Sequence, residues 1–174
     1  VPATTPSFLL NKYSMSLFNS SYFNFKKLLH KSDTVDYDSY FFPLDNIGNW
    51  NRLYGRNGFL QYQFVVPSET ALKSITEVLE KVSAAGKGSF LSVLKKFGKA
   101  NKNWLSFPQE GYTLTLDFKR EKSLFPLLDK LDEIILKHGG RLYLAKDARM
   151  AESTFKQSYP NWEKFLELKK SIDP

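Results

Sequence analysis

The 174 residues, 42% hydrophobic and 25% charged, suffice for one globular domain with a real hydrophobic core. Zero cysteines exclude disulfides, iron–sulfur clusters, thiolate metal sites and a cysteine nucleophile; the two histidines, His30 and His138, stand far apart without HExxH or Cys/His spacing, so no metal-site pattern is present. The net charge of +7 is spread widely, with only short clusters such as Lys95-Lys96 and Lys169-Lys170, which reads as a solvated basic surface or, more sharply, as attraction to an anionic partner; no apolar run approaches a membrane span.

Val1-Pro-Ala-Thr-Thr-Pro6 reads as a proline-bearing leader or linker and lacks the basic and apolar parts of a signal peptide. With no initiating methionine, the expectation is a fragment of a longer protein. Residues 7–30 are rich in aromatics and serine without a clean period, enough for one or two short helices, with His30 at a helix end. Asp33, Asp36 and Asp38 form a solvated loop, since the Asp-x-Asp-x-Asp-Gly run and distal glutamate of a calcium loop are missing. Tyr37 to Leu44 is strand-like, ended by Pro43 and a turn over 45–48. Gly55-Arg-Asn-Gly58 matches the GxxG of KH domains, but it feeds a strand where that loop would join two helices.

Phe59 to Val66 predicts a strand with Leu60, Tyr62, Phe64 and Val66 on one face and Phe59, Gln61, Gln63 and Val65 on the other. Two glutamines in an apolar strand are costly if buried without partners, so they face either solvent or something they hydrogen-bond. Ser68 caps a helix with Leu72, Ile75, Val78, Leu79 and Val82 at helical spacing, stopped by Gly86 and Gly88. Ala85-Gly-Lys-Gly-Ser89 lacks the upstream glycine of a phosphate loop and is a helix stop. A second strand runs from Ser89 to Phe97, with Leu91, Val93, Lys95 and Phe97 on one face. After a loop over Gly98–Pro108, Tyr112 to Phe118 is a third strand, with Thr113, Thr115 and Asp117 opposite the apolar face. Ser123 caps a helix striped by Leu124, Leu127, Leu128, Leu131, Ile134 and Ile135, ending at His138-Gly139. Arg141 to Ala145 is a fourth strand, and short helices near Glu152 and from about Asn161 close the chain.

Strand–helix–strand–strand–helix–strand over 59–145 is the ferredoxin-like arrangement, an α+β fold with an antiparallel sheet and helices on one face, here with helical N- and C-terminal extensions. Gln61, Gln63, Thr113 and Thr115 then emerge on the other face, as a partner surface or as an ordinary solvated one. RNA-recognition modules use the same face, but the stacking rings of their motif are replaced by threonines in Gly111-Tyr-Thr-Leu-Thr-Leu-Asp-Phe118. A stand-alone module for RNA or an anionic ligand stays open as a second reading, although no nucleic-acid partner is expected.

Phe42-Pro-Leu-Asp45, Trp50-Asn-Arg-Leu-Tyr-Gly55, Gly58-Phe-Leu-Gln-Tyr-Gln-Phe-Val-Val-Pro67, Leu105-Ser-Phe-Pro108 and Gly139-Gly-Arg-Leu-Tyr-Leu-Ala-Lys-Asp147 resemble the C-terminal part of FAD-linked oxidases of the vanillyl-alcohol-oxidase type. The resemblance is strongest to the branch that oxidises a polyprenyl-phospho-ribose 2'-hydroxyl within an epimerisation serving cell-wall biosynthesis. It implies that residues 1–174 are one substrate-binding (cap) domain whose partner is an N-terminal FAD-binding domain of the same protein. FAD is the implied cofactor, held mainly by that other domain.

The resemblance further implies site residues. Lys146 matches a lysine beside flavin and sugar that stabilises the reduced flavin; Tyr143 lies near the cofactor, and Gln61 and Gln63 face sugar and flavin. Lys95 matches a lysine on the neighbouring strand, and the expectation for it here is a contact to a substrate phosphate. Thr115 stands where mycobacterial members have a cysteine, and Phe41 where they have a tyrosine, so both bear on the choice of substrate. Implied partners are a lipid-phosphate sugar and a short-chain reductase that takes the keto sugar, with the protein cytoplasmic or peripheral to the inner membrane and without a transmembrane segment. An FAD-linked oxidase of a small alcohol or lactone is the third reading.

Overall fold

The computed structural model describes residues 3, 4, 6, 11–29, 34, 36–42, 45, 47–89 and 91–173. Four strands, β1 (Phe59–Pro67), β2 (Ser92–Phe97), β3 (Gly111–Lys119) and β4 (Arg141–Leu142), form one antiparallel sheet in the order β2-β3-β1-β4. Six helices accompany them among the described residues: α1 (Lys12–Leu29), α2 (Tyr37–Phe41), α3 (Ser68–Ala84), α4 (Phe125–Lys137), α5 (Glu152–Ser158) and α6 (Trp162–Ile172). With α3 between β1 and β2, and α4 between β3 and β4, this is the expected α+β, ferredoxin-like order.

The core lies between the sheet and α3 and α4. Tyr62, Phe64 and Val66 of β1 and Leu114, Leu116 and Phe118 of β3 point into it and meet Val78 and Val82 of α3 and Leu128, Leu131 and Ile135 of α4. The period-2 pattern of the strands and the period-3.6 stripe of α4 meet here as predicted. Two glycines hold the backbones close. A Cβ on Gly111 would lie 2.0 Å from the Val66 carbonyl oxygen at a φ of +154°, and one on Gly140 would lie 2.6 Å from that of Val65.

Local expectations need correcting at several points. Leu72 is 84% exposed and Leu79 is exposed, because α3 turns Ala71, Ser74, Val78 and Val82 to the sheet; small residues at 71 and 74 let the helix seat closely. Ser68 and Ser123 are not caps: Ser68 is already helical after Pro67, and Ser123 lies inside a 3-10 turn, Lys122–Leu124, that leads into α4. β2 begins at Ser92, since the Ser89 hydroxyl and the Leu91 carbonyl instead accept the Asp117 N–H ahead of the ladder. β4 is two residues long because the chain winds into a 3-10 turn over Leu144–Lys146.

Tyr37–Phe41 is a helix and not a strand: Asp36 Oδ2 accepts the Asp38 N–H, and the Tyr40 N–H reaches back to Asp36 O, which favours a helical turn. Pro43 and Leu44, like His30 and Asp33, lie outside the described residues. The aromatic segment before residue 30 forms one helix, α1, whose Met15 is its only buried residue among those described. The two tail helices occur where expected.

Candidate functional site

The register of the sheet sets the face turned away from α3 and α4. Gln63 pairs with Thr115, which pairs with Val93; Val65 pairs with Thr113, which pairs with Lys95; and Gln61 pairs with Asp117. Arg141 of β4 pairs with Val65, and the Tyr143 N–H donates to the Gln63 carbonyl at 2.9 Å, which continues the β4 edge. The glutamines and threonines therefore share one face, as the alternation required.

That face is not open, however. Thr113 and Asp117 are each 1% exposed, and Thr115 is buried as well. The 3-10 turn Trp50–Tyr54 closes one end: the Trp50 indole N–H and the Tyr54 hydroxyl donate to Asp117 Oδ2 at 3.4 and 3.3 Å. Phe107 covers the other end, stacked on Tyr143 with ring centroids 4.5 Å apart and edge-on to Phe97. Burial, then the charge of Asp117, pushes the Tyr54 hydroxyl far above its ordinary pKa.

Both glutamines of this face bond across the sheet to β3. Gln61 Nε2 donates to Asp117 Oδ1 at 2.8 Å, and Gln63 Nε2 donates to Thr113 Oγ1 at 3.1 Å. Each glutamine spends one of its two amide N–H donors on β3, and neither carboxamide oxygen has a partner among the described residues. Both side chains are half-buried.

Beside β1 a shallow groove of about 20 Å³ is lined by Gln61, Gln63, Tyr143, Lys146, Asp147 and Arg149, among others. The 3-10 turn after β4 places Lys146 on its rim, where the ammonium is exposed and makes no ion pair among the described residues. Asp147 Oδ1 accepts the N–H groups of Arg149 and Met150, which bends the chain back towards α4. Arg149 then reaches Asp132 through Nη2 and Nη1 at 2.7 and 2.9 Å and Asp129 at 2.8 Å, and Asp132 Oδ1 also accepts the Tyr62 hydroxyl at 2.9 Å. Burial pushes the Asp132 carboxyl up against the opposing pull of Arg149; Arg149 itself is pulled down by burial but raised on balance by Asp132.

Four of the seven residues singled out from the sequence thus line one groove: Gln61, Gln63, Tyr143 and Lys146. Thr115 lies under the same face, beside Gln63 in register, and Lys95 stands two strands away opposite Thr113. Phe41 is not drawn in: it is exposed on α2, and its ring neighbours are Tyr37 and Tyr40 of the same helix. Sequence reasoning missed Asp117, Asp132 and Arg149. The signal for Asp132 was a carboxylate between Leu131 and Ile134 on a core-facing helix; for Asp117 it was a carboxylate two residues from Thr115 in an otherwise uncharged row.

The family model for D-arabinono-1,4-lactone oxidase matches residues 58–174, which hold the whole sheet, both helices that cover it and the groove. The chain belongs to this family. Over all 174 residues it is 36% identical to decaprenylphosphoryl-beta-D-ribose oxidase of Mycolicibacterium smegmatis, of which the match spans 37%. Over 101 residues, 58% of the chain, it is 36% identical to an uncharacterized protein in the mprA 5' region of Streptomyces coelicolor, of which 28% is covered. The chain spans 37% of the length of the first of these curated relatives, and its match covers 28% of the second. The resemblance to FAD-linked oxidases is thereby borne out at the level of the family.

Proposed function

We propose that the chain is the substrate-binding domain of an FAD-dependent oxidoreductase that oxidises a sugar hydroxyl of the polyprenyl-phospho-ribose 2'-OH type. The observation that carries this reading is the gathering of Gln61, Gln63, Tyr143 and Lys146 around one groove in a chain that matches a sugar-phospholipid oxidase along its full length. The FAD-binding domain is taken to lie elsewhere in the same protein, in keeping with the 37% of the relative that the chain accounts for.

The residues suit one side of a flavin. The groove is too shallow to enclose a ring system, so the chain supplies a wall and not a pocket. That wall offers two carboxamide oxygens as acceptors, the Tyr143 side chain and one unpaired cation, which matches a ligand edge with N–H or O–H donors and a developing negative charge. When bound, FAD supplies the acceptor for the two electrons and the hydrogen that leave the sugar carbon. Lys146 would hold a fixed positive charge beside the ring, Gln61 and Gln63 would orient sugar and flavin edge, and Lys95 would aid a phosphate. The carboxylate of the groove, Asp147, already accepts two backbone N–H groups, so the proton acceptor is assigned to the other domain.

On this reading the enzyme works in the cytoplasm or at the inner-membrane surface, and the keto sugar it releases requires a separate reductase. No helix among the described residues is long and apolar enough to cross a membrane. A second reading, oxidation of a small alcohol or lactone, is favoured by the family description, D-arabinono-1,4-lactone oxidase. Anaerobic mixing of the full-length flavoprotein with short-chain polyprenylphosphoryl-β-D-ribose, and separately with an aldonolactone, distinguishes the two. Bleaching of flavin absorbance by the ribose lipid alone is expected; bleaching by the lactone alone supports the second reading, and bleaching by neither overturns both.

A further inference from the structure

Asp117 is the one carboxylate that the strands turn to the face opposite α3 and α4, and no ion pair reaches it among the described residues. At 1% exposure it depends on neutral donors: Gln61 Nε2 on Oδ1, the Tyr54 hydroxyl and Trp50 indole N–H on Oδ2. Its own N–H is held by Ser89 and Leu91, so the carboxylate is fixed from both ends. With the Trp50 indole N–H and the Tyr54 hydroxyl both donating to it, the carboxyl group is the acceptor of this cluster. The Gln61 carboxamide must therefore present its NH₂ group to Asp117, because the opposite orientation would set oxygen against oxygen in a buried site.

This fixes what Gln61 offers to the groove. With one of its two N–H donors on Asp117 and the NH₂ end thereby turned to β3, Oε1 is the acceptor that Gln61 has left for a ligand. Gln63 differs, since its partner Thr113 Oγ1 is a hydroxyl that donates or accepts, so its carboxamide can turn over without loss. We propose that Asp117 is a positioning residue for ligand recognition: it locks Gln61 as a hydrogen-bond acceptor, so that the groove selects a ligand hydroxyl or N–H at that point, while Gln63 adapts to either polarity. Trp50 and Tyr54 serve the same end by occupying Oδ2. The inference rests on the groove being the substrate-facing surface proposed above.

The test uses the full-length flavoprotein and short-chain polyprenylphosphoryl-β-D-ribose as the probe, with Asp117→Asn, Gln61→Ala and the double variant. Asparagine is isosteric. With its oxygen on Trp50 and Tyr54, its NH₂ group faces Gln61 and forces that carboxamide over. The expected result is a KM about ten-fold higher for Asp117→Asn with a smaller change in kcat, and less than about two-fold further change when it is added to Gln61→Ala. A KM unchanged in Asp117→Asn but raised in Gln61→Ala overturns this inference alone, as does an equal effect of Asp117→Asn in both backgrounds. Unchanged constants for Gln61→Ala overturn the reading of the groove as well.

A second measurement needs no variant at Asp117. In protein labelled with [¹⁵N]glutamine, the side-chain signal lost in Gln61→Ala should exchange slowly with solvent, and the probe should not displace its protons from Asp117. Fast exchange, or a new ligand hydrogen bond from that NH₂ group, contradicts the proposal.

Discussion

Arg149 sets two guanidinium nitrogens on Asp132, at 2.7 and 2.9 Å, across the gap between the turn that carries Lys146 and the core-facing side of α4. Asp132 in turn accepts the Tyr62 hydroxyl from β1, so one carboxylate ties helix, strand and turn together. The turn on the rim of the groove is thereby anchored in the interior. Removing the carboxylate leaves the Tyr62 hydroxyl without its acceptor and Arg149 with only the exposed Asp129: Asp132→Ala should cost about 3–5 kcal/mol, the range for breaking a buried pair, whereas Arg149→Lys, which keeps charge but loses the two-pronged contact, should cost less. Urea unfolding of the two variants checks the order; equal and small losses would contradict it.

Close backbone approach at Gly111 and Gly140 predicts a second pair of effects. Alanine at either position must displace a carbonyl oxygen of β1 and is expected to destabilise by more than about 2 kcal/mol, well beyond a helix-propensity change. At Gly58, where a Cβ meets nothing within 4 Å, alanine should cost less, its φ of +69° being the one strain. Thermal melts of the three variants provide the comparison.

The orientation of α3 can be checked by truncation. Val78→Ala opens a void in the core and should cost about 1–3 kcal/mol, while Leu72→Ala, on the solvent side, should change stability by less than about 0.5 kcal/mol. Similar losses at the two positions would mean that the helix seats differently.

Acid stability has a definite sign. Glu77 is pulled below its ordinary value of 4.5 by the hydrogen bond from His138, then by Lys137, and Glu121 is pulled below the same value by Lys87. A carboxylate with a lowered pKa in the folded state contributes stability above 4.5, and loses it as pH falls through the lowered value. The melting temperature should therefore drop below about pH 4.5, and Glu77→Gln should make that drop shallower. An unchanged acid limb in the variant would show that the His138–Glu77 contact, at 2.8 Å, is not formed in solution.

Much of this was legible before any coordinates. β1, β3 and α4 announce themselves because one face of each is buried, so burial imposes period 2 or 3.6 on the residues. The shared face of Gln61, Gln63, Thr113 and Thr115 followed from alternation alone. Where tertiary packing decides, the pattern fell short. Leu72 and Leu79 match a helical stripe as well as Ala71 and Ser74 do, and apolar character alone picks the wrong edge. Tyr37–Phe41 has strand-like residues, but among the described residues no sheet edge pairs with it and the local Asp36 contact wins. Alternation placed Asp117 beside Thr113 and Thr115 but could not show its partners, since its donors Trp50, Tyr54 and Gln61 lie 56 to 67 positions away in the chain.

The central claim is that this chain turns the Lys146 rim of its groove to a flavin. The most direct measurement is the two-electron reduction potential of the flavin in the full-length protein, compared between wild type and Lys146→Met. A cation next to the ring favours the reduced, more negative form, so its removal should lower the potential by about 30 mV or more, equivalent to roughly 1.4 kcal/mol. An unchanged potential, in a variant that still binds FAD, would contradict the account.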